Sequence, residues 1–133
     1  KIQKLTTIMK NIHYLGFQNK EKTLSLIRGS DILIQPSLNE GISSTILEAM
    51  ASKTSVIASN VGGNRELIDN NNGILVDASN TKKLTEEILN LIQNKEQRKI
   101  LEKKAAIDVK NYDWNRVGNL YLEIYQNLLN KSK

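Results

Sequence analysis

Two carboxylates frame the stretch of this chain best suited to chemistry. Glu40 and Glu48 have seven residues between them, and those residues begin Gly41-Ile42-Ser43-Ser44-Thr45. An ionised carboxylate accepts hydrogen bonds from paired hydroxyls with charge-assisted strength. The glycine lets backbone approach a ligand closely and permits unusual dihedrals. The three hydroxyl residues can cap a helix and donate further bonds. Where a helix starts, its first N–H groups lack internal partners and carry roughly half a positive charge. A phosphate satisfies both. Helical side chains lean back toward the N-terminus, and the rise is about 1.5 Å per residue. Glu48 then reaches back beside the anion and Glu40 lies on its other side, the two acids on the order of 10 Å apart. That layout fits a nucleotide-sugar: diphosphate on the helix end, sugar hydroxyls on one carboxylate, ribose hydroxyls on the other. As a bare pair, two glutamates around a helix start more often form a solvated cap. The repeated strand–glycine turn–helix pattern around them is what favours a ligand site.

The elements that must position this turn follow from hydrophobic periodicity. Asp31–Gln35 (DILIQ) reads as a strand leading into Pro36, and a helix occupies about Ser43–Ser52, with Ile46, Leu47 and Met50 facing a sheet. Upstream, residues 1–10 read as the tail of a helix stopped near Asn11. Ile12–Leu15 reads as a short buried strand ended by Gly16, and Asn19–Arg28 as a helix with Leu24 and Ile27 inward. Downstream, Ser55–Ala58 reads as a buried strand entering a second glycine turn, Val61–Glu66, that opens another helix. Asn70–Gly73 form a turn and Ile74–Val76 a last strand. Beyond Asp77 the chain is helical. Leu84, Ile88, Leu91 and Ile92 share one apolar face, and Gln97–Lys110 carry a weaker stripe. Val117, Leu120, Tyr121, Ile124 and Leu128 mark a final helix whose apolar face either packs on this domain or stays partly uncovered. Trp114 reads as a packing anchor.

This alternation predicts an α/β fold: a Rossmann-like three-layer α/β/α sandwich with a mostly parallel sheet of about four short strands and a helical C-terminus. In such sheets ligands bind outside the carboxyl ends of the strands, where both glycine turns and His13 fall. Gly63 reads equally as a plain structural turn and as a second point of backbone approach to phosphate or sugar.

Composition narrows the classes. A chain of 133 residues is one domain able to bury a real core, and 39% hydrophobic with 25% charged residues is ordinary for a soluble protein. With no cysteine, neither a disulfide framework nor a thiolate metal site can form, and a single histidine argues against a histidine-rich metal site. No run is long and apolar enough to span a bilayer, and no signal peptide is visible. The net charge of +5 comes from lysines spread along the helices, which reads as a solvated surface. No basic motif interleaved with aromatics appears, so nucleic acid is not an expected partner.

The stretch EGISSTILEAM (Glu40–Met50) resembles the E-x7-E signature of retaining glycosyltransferases of family 4 (group 1), which have the GT-B fold. Pro36-Ser37, VIASNVGGNRELI (Val56–Ile68), NNGILV (Asn71–Val76), Asp113-Trp114 and the closing helix continue the resemblance in order, over nearly the whole chain. The family usually has Gly and Pro near the turn after the central helix, where this chain has Lys53 and Ser55. That departure loosens the turn chemistry and leaves the ligand groups untouched.

The resemblance implies that residues 1–133 are a single partial C-terminal nucleotide-sugar-binding domain, a truncated half of a GT-B fold. Two further βα units with a basic Arg and Lys pair, and the N-terminal acceptor domain, are expected as missing partners. The implied reaction moves a sugar from a nucleoside-diphosphate sugar to a glycan or lipid-linked acceptor with retained configuration, as a hexosyltransferase, the fragment alone being inactive. Glu40 takes the catalytic role of orienting the sugar. Glu48 holds the ribose. Gly41, Ile42, Ser43, Ser44, Thr45 and Gly63 line the donor site, and the backbone near His13 lies by the nucleobase. No metal or other cofactor is expected. The parent enzyme is expected in the cytoplasm at the inner face of the membrane, in peripheral contact with it, making envelope polysaccharide or glycolipid. Three other readings compete. A sugar-nucleotide epimerase or phosphorylase shares the fold, but no pyridoxal-bearing lysine context is recognisable. A nucleotide-sensing or scaffold domain would have lost the chemistry. A receiver-like signalling domain needs clustered acids after its first strand, and the residues near Gly16 lack them.

Overall fold

Three short aliphatic runs pair as strands: β1 (Ile32–Gln35), β2 (Ser55–Ser59) and β3 (Ile74–Val76). A computed structural model describes residues 9–69 and 71–131. Within it the sheet is parallel in the order β1-β2-β3, with Gln35 opposite Ala58 and Ser59 opposite Val76. Every residue of the central strand β2 is buried, the continuous pattern of a parallel strand covered on both faces. Its period of two divides the core. Val56 and Ala58 join Ile27, Ile46, Met50 and Leu67 in one cluster, and Ile57 joins Val76, Leu91 and Leu101 in the other.

Helices supply both faces. On the first cluster pack α1 (Lys20–Arg28), α2 (Ser44–Ala51) and the single turn α3 (Asn64–Leu67). On the second packs α4 (Thr81–Gln93) through Leu91. The next helix, α5 (Lys95–Asp108), serves both, with Ala105 in the first and Leu101 in the second. A 3-10 turn (Val109–Tyr112) then leads to α6 (Trp114–Lys131). Asparagines punctuate this run: Asn19, Asn80 and Asn94 each accept a bond from the N–H three residues on, capping α1, α4 and α5. The architecture is the expected three-layer Rossmann-like sandwich.

The end of α2 sets the entry to β2. Lys53 N–H bonds to Met50 O at 3.2 Å and Thr54 N–H to Ala49 O at 2.9 Å, the paired bonds of a Schellman motif. That motif puts its C′ residue in the left-handed region, and Lys53 sits there with φ 58°. The residue that departs from the family pattern therefore occupies the one position of this turn where glycine is normally preferred.

Several expectations are corrected. Of about four strands expected, three form among the described residues. Ile12–Leu15 is irregular: β1 is an outer strand of the sheet and, among the described residues, no neighbour pairs beyond it, while Tyr14 and Leu15 are about half exposed. A run this short gains nothing from strand geometry without a partner for its N–H and C=O groups. Ile92 is exposed rather than part of the α4 face, because at about 100° per residue it lies roughly 80° around the helix from Leu84. Trp114 is 86% exposed and anchors no core. On α6 the second of the two readings holds: Leu120, Tyr121 and Ile124 are exposed and only Val117 is half-buried. The helix read into residues 1–10 and the first residue of the Asn70–Gly73 turn lie outside the described residues.

Candidate functional site

The turn between β1 and α2 is built around Ser43. Its backbone is extended (φ −79°, ψ 112°), and its hydroxyl accepts from Ile46 N–H, capping α2. The side chain is buried and also exchanges two bonds with the amide of Gln35, the last residue of β1, at 3.0 and 3.1 Å. Strand end and helix start are thereby tied together across the turn.

The backbone of the turn is left open. From Gly41 to Thr45 none of the N–H groups has a hydrogen-bond partner among the described residues, so five consecutive donors are available. The first turn of α2 carries no acidic side chain that would compete for the positive end of the helix. Gly41 itself has open space where a Cβ would stand, and its φ is not positive. Its lack of a side chain matters for what can approach it, not for the fold of the free chain.

The second glycine turn packs directly on the first. A Cβ on Gly63 would stand 2.6 Å from Gly41 O and 2.8 Å from Ile42 N, and one on Gly62, at φ +45°, would stand 1.9 Å from Glu40 O. Gly63 N–H donates to Glu40 O at 3.2 Å. Gly63 thus presses on the Glu40–Ile42 backbone, a role that the spacing alone did not reveal.

The two glutamates sit in different surroundings. Glu40 Oε1 accepts from Ser37 Oγ at 2.6 Å and from Gln35 Nε2 at 2.8 Å, while Oε2 has no partner among the described residues. Those neutral donors, Ser37 first, stabilise the ionised form and hold the carboxyl below its usual range, against a smaller opposing effect of burial. Glu48 lies toward α1, where Lys20 Nζ approaches it at 3.7 Å; Lys20 is largely exposed, so the pair is weak. His13 is exposed in the irregular segment before Gly16. The structure thus brings Glu40, Gly41–Thr45 and Gly63 into one turn cluster, with Glu48 one helical turn into α2. Sequence reasoning missed Gln35 and Ser37. A polar residue ending an apolar strand, and a serine three before the acid, were the available signals.

A separate cavity of about 170 Å³ opens at the carboxyl ends of the strands, lined by Gln35, Leu38, Ser59, Asp77 and Leu84 among others. It backs onto Gln35 without including Glu40 or Gly41–Thr45 among its lining residues. Among the described residues no group of three His, Asp or Glu side chains could hold a metal ion, and no helix is long and apolar enough to cross a membrane.

A family model described as glycosyl transferases group 1 matches residues 2–108. The uncharacterized glycosyltransferase MJ1178 of Methanocaldococcus jannaschii is 34% identical over 121 residues, covering 90% of this chain and 34% of that protein. The N,N'-diacetylbacillosaminyl-diphospho-undecaprenol alpha-1,3-N-acetylgalactosaminyltransferase of Campylobacter jejuni is 33% identical over 119 residues, covering 89% of this chain and 31% of that protein. The chain therefore spans about a third of the length of these relatives. Among solved structures, the C-terminal domain of the glycosyl transferase group 1 family protein LpcC from Francisella tularensis superposes with a TM-score of 0.72 at 31% identity, over 81% of this chain and 56% of that one. Anabaena Alr3699/HepE in complex with UDP-glucose superposes with a TM-score of 0.82 at 22% identity, over 94% of this chain and 35% of that one, a likeness of fold.

Proposed function

The chain belongs to the group 1 glycosyltransferase family, and from that premise we propose that it is the donor-binding part of a retaining enzyme. The enzyme moves a sugar from a nucleoside-diphosphate sugar to a glycan or lipid-linked acceptor. The observation that carries this reading is the run of five N–H groups from Gly41 to Thr45 that have no partner among the described residues, beside a carboxylate with one oxygen likewise unpartnered among them. When the bond from the anomeric carbon to the diphosphate breaks, the electron pair goes to the phosphate oxygen and the sugar gains oxocarbenium character. Preorganised N–H groups at Ser43, Ser44 and Thr45 stabilise that phosphate charge, the kind of effect that often dominates catalysis. Gly41 and Ile42 leave room for the donor's approach. Glu40 orients the sugar by its hydroxyls, and Glu48 holds the ribose on the α1 side. Gly63 lines the site by supporting the turn, and the backbone near His13 meets the base. Positioning of this kind can contribute several kcal/mol. The proposal includes no metal, since backbone dipoles meet the phosphate.

The Campylobacter relative's named acceptor, a sugar on diphospho-undecaprenol, supports a lipid-linked acceptor; the place we propose for the reaction is envelope glycan synthesis at the inner membrane face. Because the chain spans about a third of its relatives, we expect these 133 residues alone to turn over no nucleotide-sugar. The test is calorimetric titration of UDP, GDP and ADP and their sugar conjugates, with Glu48→Ala in parallel. Selective binding of one nucleotide, weakened by about tenfold in Glu48→Ala as for one lost charge-assisted bond, is expected. Binding that ignores the sugar would favour a nucleotide-sensing domain, and no binding by the folded chain would refute the donor site.

A further inference from the structure

The Glu40 carboxylate is fixed from one side only. Both Ser37 Oγ and Gln35 Nε2 donate to the same oxygen, Oε1, and Gln35 is itself fixed: its backbone pairs opposite Ala58 in the sheet and its amide bonds to Ser43. At the other end of the residue the Glu40 carbonyl is held by Gly63 N–H. Side chain and main chain are therefore both anchored, and Oε2 is the one strong acceptor of the residue left without a partner among the described residues.

We infer that Ser37 and Gln35 are positioning residues that clamp Glu40 by Oε1 so that Oε2 meets a hydroxyl of the donor sugar. This rests on the donor-site reading above. A loop brace alone does not require a carboxylate, since a glutamine at position 40 would accept the same two bonds through its amide oxygen. What an acid adds is charge on the free oxygen, and a charge-assisted bond to a hydroxyl is roughly twice as strong as a neutral one. The clamp also keeps that charge in place: its donors hold the carboxyl below the usual range, and Glu48 on α2 and Arg65 and Glu66 on α3, the charged groups on the neighbouring helices, are not among the causes. Arg65 is engaged with Asn60, and Glu48 with Lys20.

Two measurements on the 133-residue chain test this. The first is a carboxyl-carbon NMR titration of Glu40 in wild type, Ser37→Ala, Ser37→Thr and Gln35→Met. The Glu40 pKa is expected to rise in Ser37→Ala and Gln35→Met and to return in Ser37→Thr, which keeps the hydroxyl. The second is the affinity ratio between a nucleotide-sugar and its bare nucleotide, which should fall by about tenfold in Ser37→Ala, as for one lost hydrogen bond near a charge. Ser37→Thr should recover it, Glu40→Gln should lose it while staying folded, and bare-nucleotide affinity should change less than about twofold. If nucleotides bind but the Glu40 pKa or the sugar ratio is unmoved in Ser37→Ala and Gln35→Met, the clamp is wrong and the donor site stands. If no nucleotide binds, both fall.

Discussion

Replacing Gly63 by alanine should separate the two glycine turns while leaving the Gly41–Thr45 residues and the Glu40 carboxylate chemically unchanged. Gly63 has φ −67° and ψ −10°, an ordinary right-handed conformation that alanine adopts freely. On backbone entropy alone the substitution would stabilise the chain by about 0.4–1 kcal/mol. Sterics decide otherwise. The new Cβ would stand 2.6 Å from Gly41 O, 2.7 Å from Gly41 C and 2.8 Å from Ile42 N. All three are backbone atoms of a turn already tied to α2 through Ser43, so no flexible side-chain end can move aside. Overpacking of this kind costs about 1–3 kcal/mol, and stretching the Gly63 N–H to Glu40 O bond at 3.2 Å loses up to about 1 kcal/mol more. The net expectation is a loss of about 1–3 kcal/mol, read as a lower urea midpoint at unchanged slope. Gly41→Ala is the control. A Cβ there meets nothing within 4 Å, so stability should hold or rise by up to about 1 kcal/mol. Nucleotide binding, in contrast, should suffer in Gly41→Ala because the methyl fills the approach to the five free donors. Equal stability of Gly63→Ala and wild type, or a Gly41→Ala as unstable as Gly63→Ala, would sink the picture of one turn pressed on the other.

Lys53→Gly should stabilise the chain. Relief of the left-handed strain at φ 58° is worth about 1–2 kcal/mol, glycine's extra backbone entropy takes back about 0.5–1 kcal/mol, and a rise in Tm of a few degrees by calorimetry is the readout. Asp108 gives a pH prediction. Burial pulls its carboxyl upward, but the bonds from Lys104 at 2.6 Å and from Asn72 at 2.9 Å outweigh that and hold it below its usual range. A group depressed on folding contributes its stability fully above its unfolded value, about pH 4, and loses it as pH falls through the lower folded value. Asp108→Asn should therefore be less stable than wild type near neutrality and converge with it in acid, measured as urea midpoints across pH.

The sheet and the helix pattern were legible in the sequence because burial on two faces leaves a strong imprint. DILIQ, SVIA and ILV are short aliphatic runs between turn residues, and each became a strand. Ile12–Leu15 carries the same signature and did not, since a strand also needs a neighbour to pair with, and periodicity does not report whether one exists. On α6 the apolar stripe left two outcomes open for a related reason: amphipathicity marks a face that can be buried, whereas the exposure of Tyr121 and Ile124 depends on what lies opposite. At the site, the acid–glycine–hydroxyl pattern pointed to the turn that the structure builds between β1 and α2. It did not reveal that Gly63 packs on Gly41, because that contact joins residues from two separate turns and depends on atoms 2.6–2.8 Å apart.

A turn whose five adjacent N–H groups find no partner among the described residues is costly to hold in shape, since those groups contribute nothing to its rigidity. Here the rigidity is supplied from outside the run: Ser43 and Gln35 below it, Ser37 before it, and the Gly62-Gly63 backbone pressed on its side. All of these supports are uncharged. Neutral donors fix the Glu40 carboxylate without consuming its charge, and glycines brace the backbone without filling the space in front of it. A lysine or arginine in the same places would hold Glu40 more tightly but would quench the acceptor. It would also add a positive charge that any phosphate would prefer to the helix end. The choice of serine, glutamine and glycine around this turn therefore has a physical reason independent of any particular ligand, and it makes the stiffness of the turn separable by mutation from the anion binding that we propose for it.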